Sequence, residues 1–321
     1  MADRLLFVNP SSPNGRSERM ATLLAVFAHP DDETFGPGGT LAKYASMGVG
    51  VHYACATKGE AGEAPAKLLR GHPDVASLRA TELECASRIL GIKEVHFLGY
   101  RDSGMPGSQD NLHPQSLEQA PEQEVVGKIV ALIRQIRPQV LITFDPHGGY
   151  GHPDHIKIHR TATEAFYAAS DPERFPEQRE RGLPPHQTNC LYYTAFPRRA
   201  LRFWIFTLPL LGKDPSRWGA NQDIDLRMIA QWSQKITARI EVRRFLPKKL
   251  EAAACHRSQT APMRDFPLPN WLRTWLMGVE NFTRVHPPTE GRIRADKDLF
   301  AGIHPEEDPT PGRPKAEAER H

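Results

Sequence analysis

From residue 20 onward the chain alternates short apolar runs with longer stretches whose apolar residues recur every three to four positions. The short runs at 23–28, 49–57, 95–98 and 140–144 predict strands, the first of them buried. The longer stretches predict helices over 36–47, 74–90 and 122–136, and another running from the Gly-rich loop after 144 to residue 169. In the third of these, Val125, Ile129, Leu132, Ile133 and Ile136 make one apolar stripe. Strand and helix repeat in turn, so the expected class is α/β: a Rossmann-like, mostly parallel sheet with helices on both faces and right-handed crossovers.

The last third of the chain is less regular. Residues 171–185 are rich in Pro and Arg and read as a loop, 189–196 and 236–242 as strands, and 247–256 as a helix. Residues 198–235 contain the apolar run 203–211 with Trp204, Trp218 and Trp232, and read as an insertion or lid. The polar ends predict a flexible arm over 1–19 and a disordered tail over 301–321. A single domain over 20–300 remains, with an elaborated C-terminal third.

Composition narrows the partners. The chain has 321 residues, 41 Lys+Arg and 38 Asp+Glu, and its net charge of +3 is too small to argue for nucleic acid. No run reaches the roughly 18 to 20 apolar residues of a transmembrane helix. The 203–211 run, with Trp271 and Trp275, would suit a packed lid or a peripheral membrane contact. Residues 20–28 have the outline of a signal peptide, but cleavage after Ala28 would remove the first strand. The four cysteines are far apart and form no C-x-x-C pair, so neither a thiolate zinc site nor a disulfide framework is expected. A cytoplasmic setting is the default. Oligomeric state stays open.

Chemistry concentrates in two places. The first strand ends in Ala28-His29-Pro30-Asp31-Asp32-Glu33. One turn there can aim the His29 imidazole and the Asp32 carboxylate at the same ion, leaving Asp31 beside them to reach a bound water. A plain helix cap is the competing reading. The second cluster, Asp145-Pro146-His147-Gly148-Gly149-Tyr150-Gly151-His152-Pro153-Asp154-His155, also follows a strand. Pro153 suits a first helical turn, and His152 and His155 stand three apart across it. A His/Asp pair from one cluster and a His from the other suit catalytic zinc with an open fourth position, or another divalent metal. Both clusters, with 100–104, follow strands and should meet beyond the carboxyl ends of the sheet.

Three other features carry less. His72-Pro73-Asp74-Val75 reads as a helix cap. His159 reads as a supporting or packing residue. Gly36-Pro37-Gly38-Gly39 lacks the spacing of a dinucleotide fingerprint, and Pro37 has no N–H for a phosphate.

The pair of H-P-D motifs resembles the LmbE-like, or PIG-L, family of zinc-dependent N-deacetylases. Thr57-Lys58-Gly59-Glu60-Ala61-Gly62-Glu63, Arg79 with Glu82, Leu98-Gly99-Tyr100-Arg101-Asp102-Ser103-Gly104, and His256-Arg257-Ser258-Gln259 support the resemblance. It implies hydrolysis of the N-acetyl amide of an N-acetylglucosamine-type sugar conjugate, a small molecule, with release of acetate. It implies His29, Asp32 and His155 as zinc ligands and Asp31 as general base. His152, held by Asp154, would be the charged partner of the oxyanion, and Tyr150 would polarise the amide. Arg79 and Asp102 would recognise the sugar or its aglycone. Glu241, where the family usually has Asp, and the 198–235 segment set this chain apart. Two further readings stand: a related amidase for a larger amide such as a thiol conjugate, and a non-catalytic carbohydrate-binding protein.

Overall fold

Seven strands build one mixed sheet in the computed structural model, which describes residues 20–210, 212–217, 224–232, 234–259, 274, 276–289 and 295–303. They are β1 (Thr22–Phe27), β2 (Gly50–Cys55), β3 (Glu94–Phe97), β4 (Val140–Thr143), β5 (Cys190–Ala195), β6 (Ala238–Glu241) and β7 (Val279–His286). Their spatial order is β3-β2-β1-β4-β5-β7-β6. The first five pair in parallel, and β7 runs antiparallel to both β5 and β6. Residues Leu23 to Phe27 are at most 1% exposed, which is why β1 is apolar on both faces rather than alternating.

Ten helices are described: α1 (Asp32–Phe35), α2 (Gly38–Ser46), α3 (Val75–Leu90), α4 (Glu122–Ile136), α5 (Gly148–Gly151), α6 (Pro153–Ala168), α7 (Pro176–Glu180), α8 (Arg198–Leu210), α9 (Leu226–Trp232) and α10 (Leu246–Cys255). Val125, Ile129 and Ile133 of α4 are fully buried, as the stripe requires. Asp74 caps α3 by accepting from the Ser77 N–H at 2.8 Å, the role read for the His72-Pro73-Asp74 triplet.

Several elements depart from the sequence reading. The helix expected over 36–47 begins at Gly38, because Pro37 has no N–H to continue a helix out of α1. The free N–H groups of Gly39 and Thr40 meet the Glu280 carboxylate at 2.9 and 2.7 Å, and Lys249 Nζ holds that carboxylate at 2.6 Å. This helix start is thus closed by the protein's own anion. Strand β7, which supplies Glu280, has no clear alternation and was not expected. Helix α7 forms inside the segment read as a loop.

Residues 198–235 contain α8 and α9, which pack Leu201, Leu208, Leu226 and Ile229 together, with Tyr150 against them. Helix α8 leaves Phe203, Phe206 and Leu210 exposed. No helix among the described residues is long and apolar enough to cross a membrane. The expected arm over 1–19, the tail beyond 303, and Trp218, Trp271 and Trp275 lie outside the described residues.

The cysteines correct an expectation. Cys85 of α3 and Cys255 of α10 form a disulfide across 170 positions, with their Cα atoms 5.9 Å apart. Linear spacing carried no sign of it, because only the packing of α10 on α3 brings the two together. The bond also removes cysteine usage as an argument for a reducing compartment.

Candidate active site

The segments after β1, β3 and β4 meet at the carboxyl end of the sheet. His29 follows β1, Asp102 follows β3, and Asp154 and His155 open α6 after β4. His29 touches all three: its Nδ1 lies 3.1 Å from His155 Nε2, and its Nε2 lies 3.1 Å from Asp154 Oδ2 and 3.3 Å from Asp102 Oδ1. The Asp32 carboxylate completes a triangle, 3.8 Å from His29 Nδ1 and 3.5 Å from His155 Nε2.

Each histidine is oriented from its far side. His155 Nδ1 donates to the Gly148 carbonyl at 3.0 Å, and His29 Nε2 donates to the two carboxylates. Gly148 has φ +61°, and a Cβ there would stand 2.6 Å from the His155 Cβ, so only glycine brings that carbonyl to the ring. With those N–H groups committed, His29 Nδ1 and His155 Nε2 face each other, and something positive must lie between two lone pairs. The two Asp32 distances run to different oxygens, Oδ2 to His29 and Oδ1 to His155, and the three imidazoles of His29, His152 and His155 bring one nitrogen each within 4.8 Å of one another. A ring N–H given to a carboxylate or a carbonyl is also the usual setting of a metal-binding histidine. Asp154 Oδ1, buried and without a partner, adds unspent negative charge at the same spot. The residues present therefore fit a divalent metal. Without one, a proton fills the gap: burial opposes charge on His29, but Asp102, Asp154 and Asp32 raise its pKa well above the usual value. Burial and the charged His29 hold His155 well below it.

Asp31 lies beside this triangle in a strained conformation, with φ 125°. Such a backbone costs on the order of 1–3 kcal/mol and persists only where its surroundings enforce it. Here Glu33 Oε2 accepts the Asp31 N–H at 2.9 Å, and His256 Nε2 holds Glu33 Oε1 at 2.7 Å. Arg79 grips the same turn, giving Nη2 to the Pro30 carbonyl at 2.8 Å and to Asp31 Oδ2 at 3.2 Å. Burial pushes the Asp31 carboxyl up to about 7, with Arg79 the largest opposing influence. Burial likewise raises Asp32 to about 6 against the pull of His29.

Three residues meet partners other than those the resemblance implies. The Asp154 carboxylate serves His29 and the Ser103 N–H; His152 receives only the Asp154 backbone N–H, at its Nδ1. Burial, with His29 and His155 close by, drives His152 down to about 2, which favours its neutral form over the charged one expected. Its Nε2 carries the remaining hydrogen, 4.0 Å from Asp102 Oδ1. Arg79 is 5% exposed and occupied with the Asp31 turn and the Gly59 carbonyl. Asp102 faces His29 and accepts from the Gly104 N–H at 2.8 Å. Burial would raise the Asp102 pKa, but the charge and hydrogen bond of His29 outweigh it and hold it well below the carboxylate range.

Tyr150 stands with its ring centroid 5.0 Å from that of His155, edge to face. His159 donates to or accepts from nothing in the triangle; its Nδ1 meets the Phe144 carbonyl at 2.9 Å. The reading from sequence missed the support given by Glu33 and His256. The ionisable Glu33 beside Asp32 was the available signal, but its partner lies 223 positions away.

Known proteins resemble this chain. Residues 24–166 match the family model described as PIG-L: GlcNAc-PI de-N-acetylase. The 1D-myo-inositol 2-acetamido-2-deoxy-alpha-D-glucopyranoside deacetylase of Thermobifida fusca is 37% identical over 87% of this chain and 98% of its own length. The relative of the same name from Rhodococcus erythropolis is 37% identical over 88% and 97%. Among solved structures, N,N'-diacetylchitobiose deacetylase from Pyrococcus horikoshii superposes with a TM-score of 0.55 at 23% identity, covering 89% of this chain and 88% of its own. The 4-carboxy-2-hydroxymuconate hydratase GalB from Pseudomonas putida KT2440 has a TM-score of 0.53 at 20% identity, covering 86% and 100%. The last two share the fold, and their different reactions show that the fold alone does not choose the chemistry. With the near full-length likeness to the inositol-sugar deacetylases, the chain belongs to the PIG-L family.

Proposed function

We propose that this chain is a zinc-dependent N-deacetylase that hydrolyses the N-acetyl amide of an N-acetylglucosamine-type sugar conjugate and releases acetate. The observation that carries the metal part is the pair of facing nitrogens on His29 and His155, each with its other nitrogen committed, and Asp32 beside them. The relatives named as inositol-sugar deacetylases support the substrate class.

His29, Asp32 and His155 would hold the ion. Zinc supplies a Lewis acid that lowers the pKa of a bound water toward ~7. Asp31 takes the proton from the attacking water and returns it to the departing nitrogen as the C–N bond breaks, and a carboxyl raised by burial is well matched to that task near neutral pH. Arg79 and the Glu33–His256 pair keep Asp31 at its angle. His152 donates its Nε2–H, as a neutral imidazole, to the oxygen on which negative charge develops. Tyr150 stands edge to face with His155 and packs against α8 and α9, where its hydroxyl would polarise the amide. Asp102 and Asp154 fix His29.

The test is acetate release from a panel of N-acetylated sugar conjugates, glucosaminyl-inositol first, with zinc supplied to metal-stripped protein. Acetate from at least one conjugate, lost in His155→Ala, is the expected result. Turnover of larger amides alone would make the chain a related amidase. Sugar binding with no turnover of any amide would make it a carbohydrate-binding protein.

A further inference from the structure

A second group of metal-binding side chains lies at the edge of the sheet. His52 on β2 and Glu94 and His96 on β3 bring one donor atom each into a near-equilateral triangle. His52 Nδ1 is 3.1 Å from His96 Nε2, and Glu94 Oε2 is 3.7 Å from the first and 3.6 Å from the second. The two rings are nearly parallel, at 16°, with centroids 5.4 Å apart.

The parallel register explains the geometry. His52 pairs with Glu94 and Ala54 with His96, so His52 stands beside two β3 residues two apart, which share one face. Strand β3 has four residues and only β2 as a neighbour, so little else secures it. We propose that His52, Glu94 and His96 form a second divalent-metal site that clamps the edge strand β3 to β2.

The donor set is chemically suited. Two imidazoles and one carboxylate match a zinc-type or other borderline cation. The triangle's edges match the separation that zinc imposes on its ligands, roughly 3.3–3.6 Å. Burial first, and then His96 and Lys93, lower His52 to about 4; burial also lowers His96. Both rings are therefore neutral at pH 7, and taking up a cation needs only one ring to change tautomer. The Glu94 carboxylate is 58% exposed, which leaves an open path from solvent. Strand β3 runs directly into the segment that ends at Asp102, so the clamp would secure the base of a loop that serves His29.

The experiment counts metal in full-length protein stripped by chelation and dialysed against zinc. The His29→Ala background removes the first site and isolates the second. His29→Ala is expected to bind one equivalent and His29→Ala/His96→Ala none, with zinc raising Tm in the former alone. Glu94→Gln, at an exposed position that does not threaten folding, should weaken the remaining binding in the His29→Ala background by at least about tenfold. Equal metal content in His29→Ala and its His96→Ala and Glu94→Gln derivatives, whether one equivalent or none, would overturn the clamp and leave a simple imidazole–imidazole hydrogen bond.

Discussion

Asp31 and its neighbours set the sharpest expectations at the residue scale. Asp31→Asn should keep its metal and lose at least about 10²-fold in kcat, since it removes a base and no ligand. Arg79→Gln tests what holds that base. Arg79 lowers the Asp31 pKa, so its removal raises that pKa, and the acid limb of kcat/KM should move to higher pH. If Arg79 bound the sugar instead, KM would rise and the limb would stay. His152 separates two accounts of the oxyanion. A neutral ring does not titrate over the working range, so His152→Ala should lower kcat by about 10²-fold or more at every pH and leave both limbs in place. A basic limb that disappears in that variant would restore a charged His152 and refute the neutral donor.

At the scale of elements, strands β1, β2 and β4 were legible because both of their faces are buried, which writes a continuous apolar run into the sequence, whereas the edge strand β3 is only half-buried, with Glu94 and Phe97 exposed. Strand β7 was not legible, because its faces are unequally covered and its composition is mixed. The segments that carry the site were legible for a topological reason: each follows a strand. Which side chain supports which was not. Asp154 reaches His29 across 125 positions and Arg79 reaches Asp31 across 48, and no local pattern encodes such a partner. Glu33 of α1 and His256 at the end of α10 are the extreme case, both without exposed side-chain surface. Burial opposes charge on each, but the partner wins: Glu33 is lowered from its usual 4.5 and His256 raised from its usual 6.5. Glu33 therefore contributes stability above 4.5 that is lost as pH falls through its lowered pKa. His256 contributes stability below 6.5 that is lost as pH rises through its raised pKa. His256→Gln leaves a buried carboxylate without its cation and should cost about 3–5 kcal/mol at pH 6. Between pH 6 and 9 the variant should also lose less stability than the natural chain. Urea unfolding at the two pH values measures both, and equal slopes would show that the pair is neutral in the folded state.

Across the whole molecule, α3 and α10 are joined by more than packing. The Cys85–Cys255 bond ties them covalently, and one helical turn away along α3 Glu82 accepts from the Ser258 N–H at 2.8 Å and its hydroxyl at 2.6 Å. Helix α3 carries Arg79, and α10 leads into His256, so both supports of Asp31 hang from this seam. A closed loop of 170 residues removes much of the unfolded chain's freedom. The loop-entropy relation gives about 5 kcal/mol for that length, and measured disulfides more often return about 2–4 kcal/mol. Cys85→Ala/Cys255→Ala should therefore unfold at lower urea, by an amount in that range. The two sulfurs touch neither the metal triangle nor Asp31, so bound zinc and kcat should stay at their original values below the unfolding transition. Reduction of the natural chain should reproduce the variant's loss of stability. If oxidised and reduced protein unfold at the same urea concentration, the bond does not form in solution. If kcat falls together with stability while zinc stays bound, the seam aligns the base as well as holding the fold, through contacts such as those of Arg79 and His256.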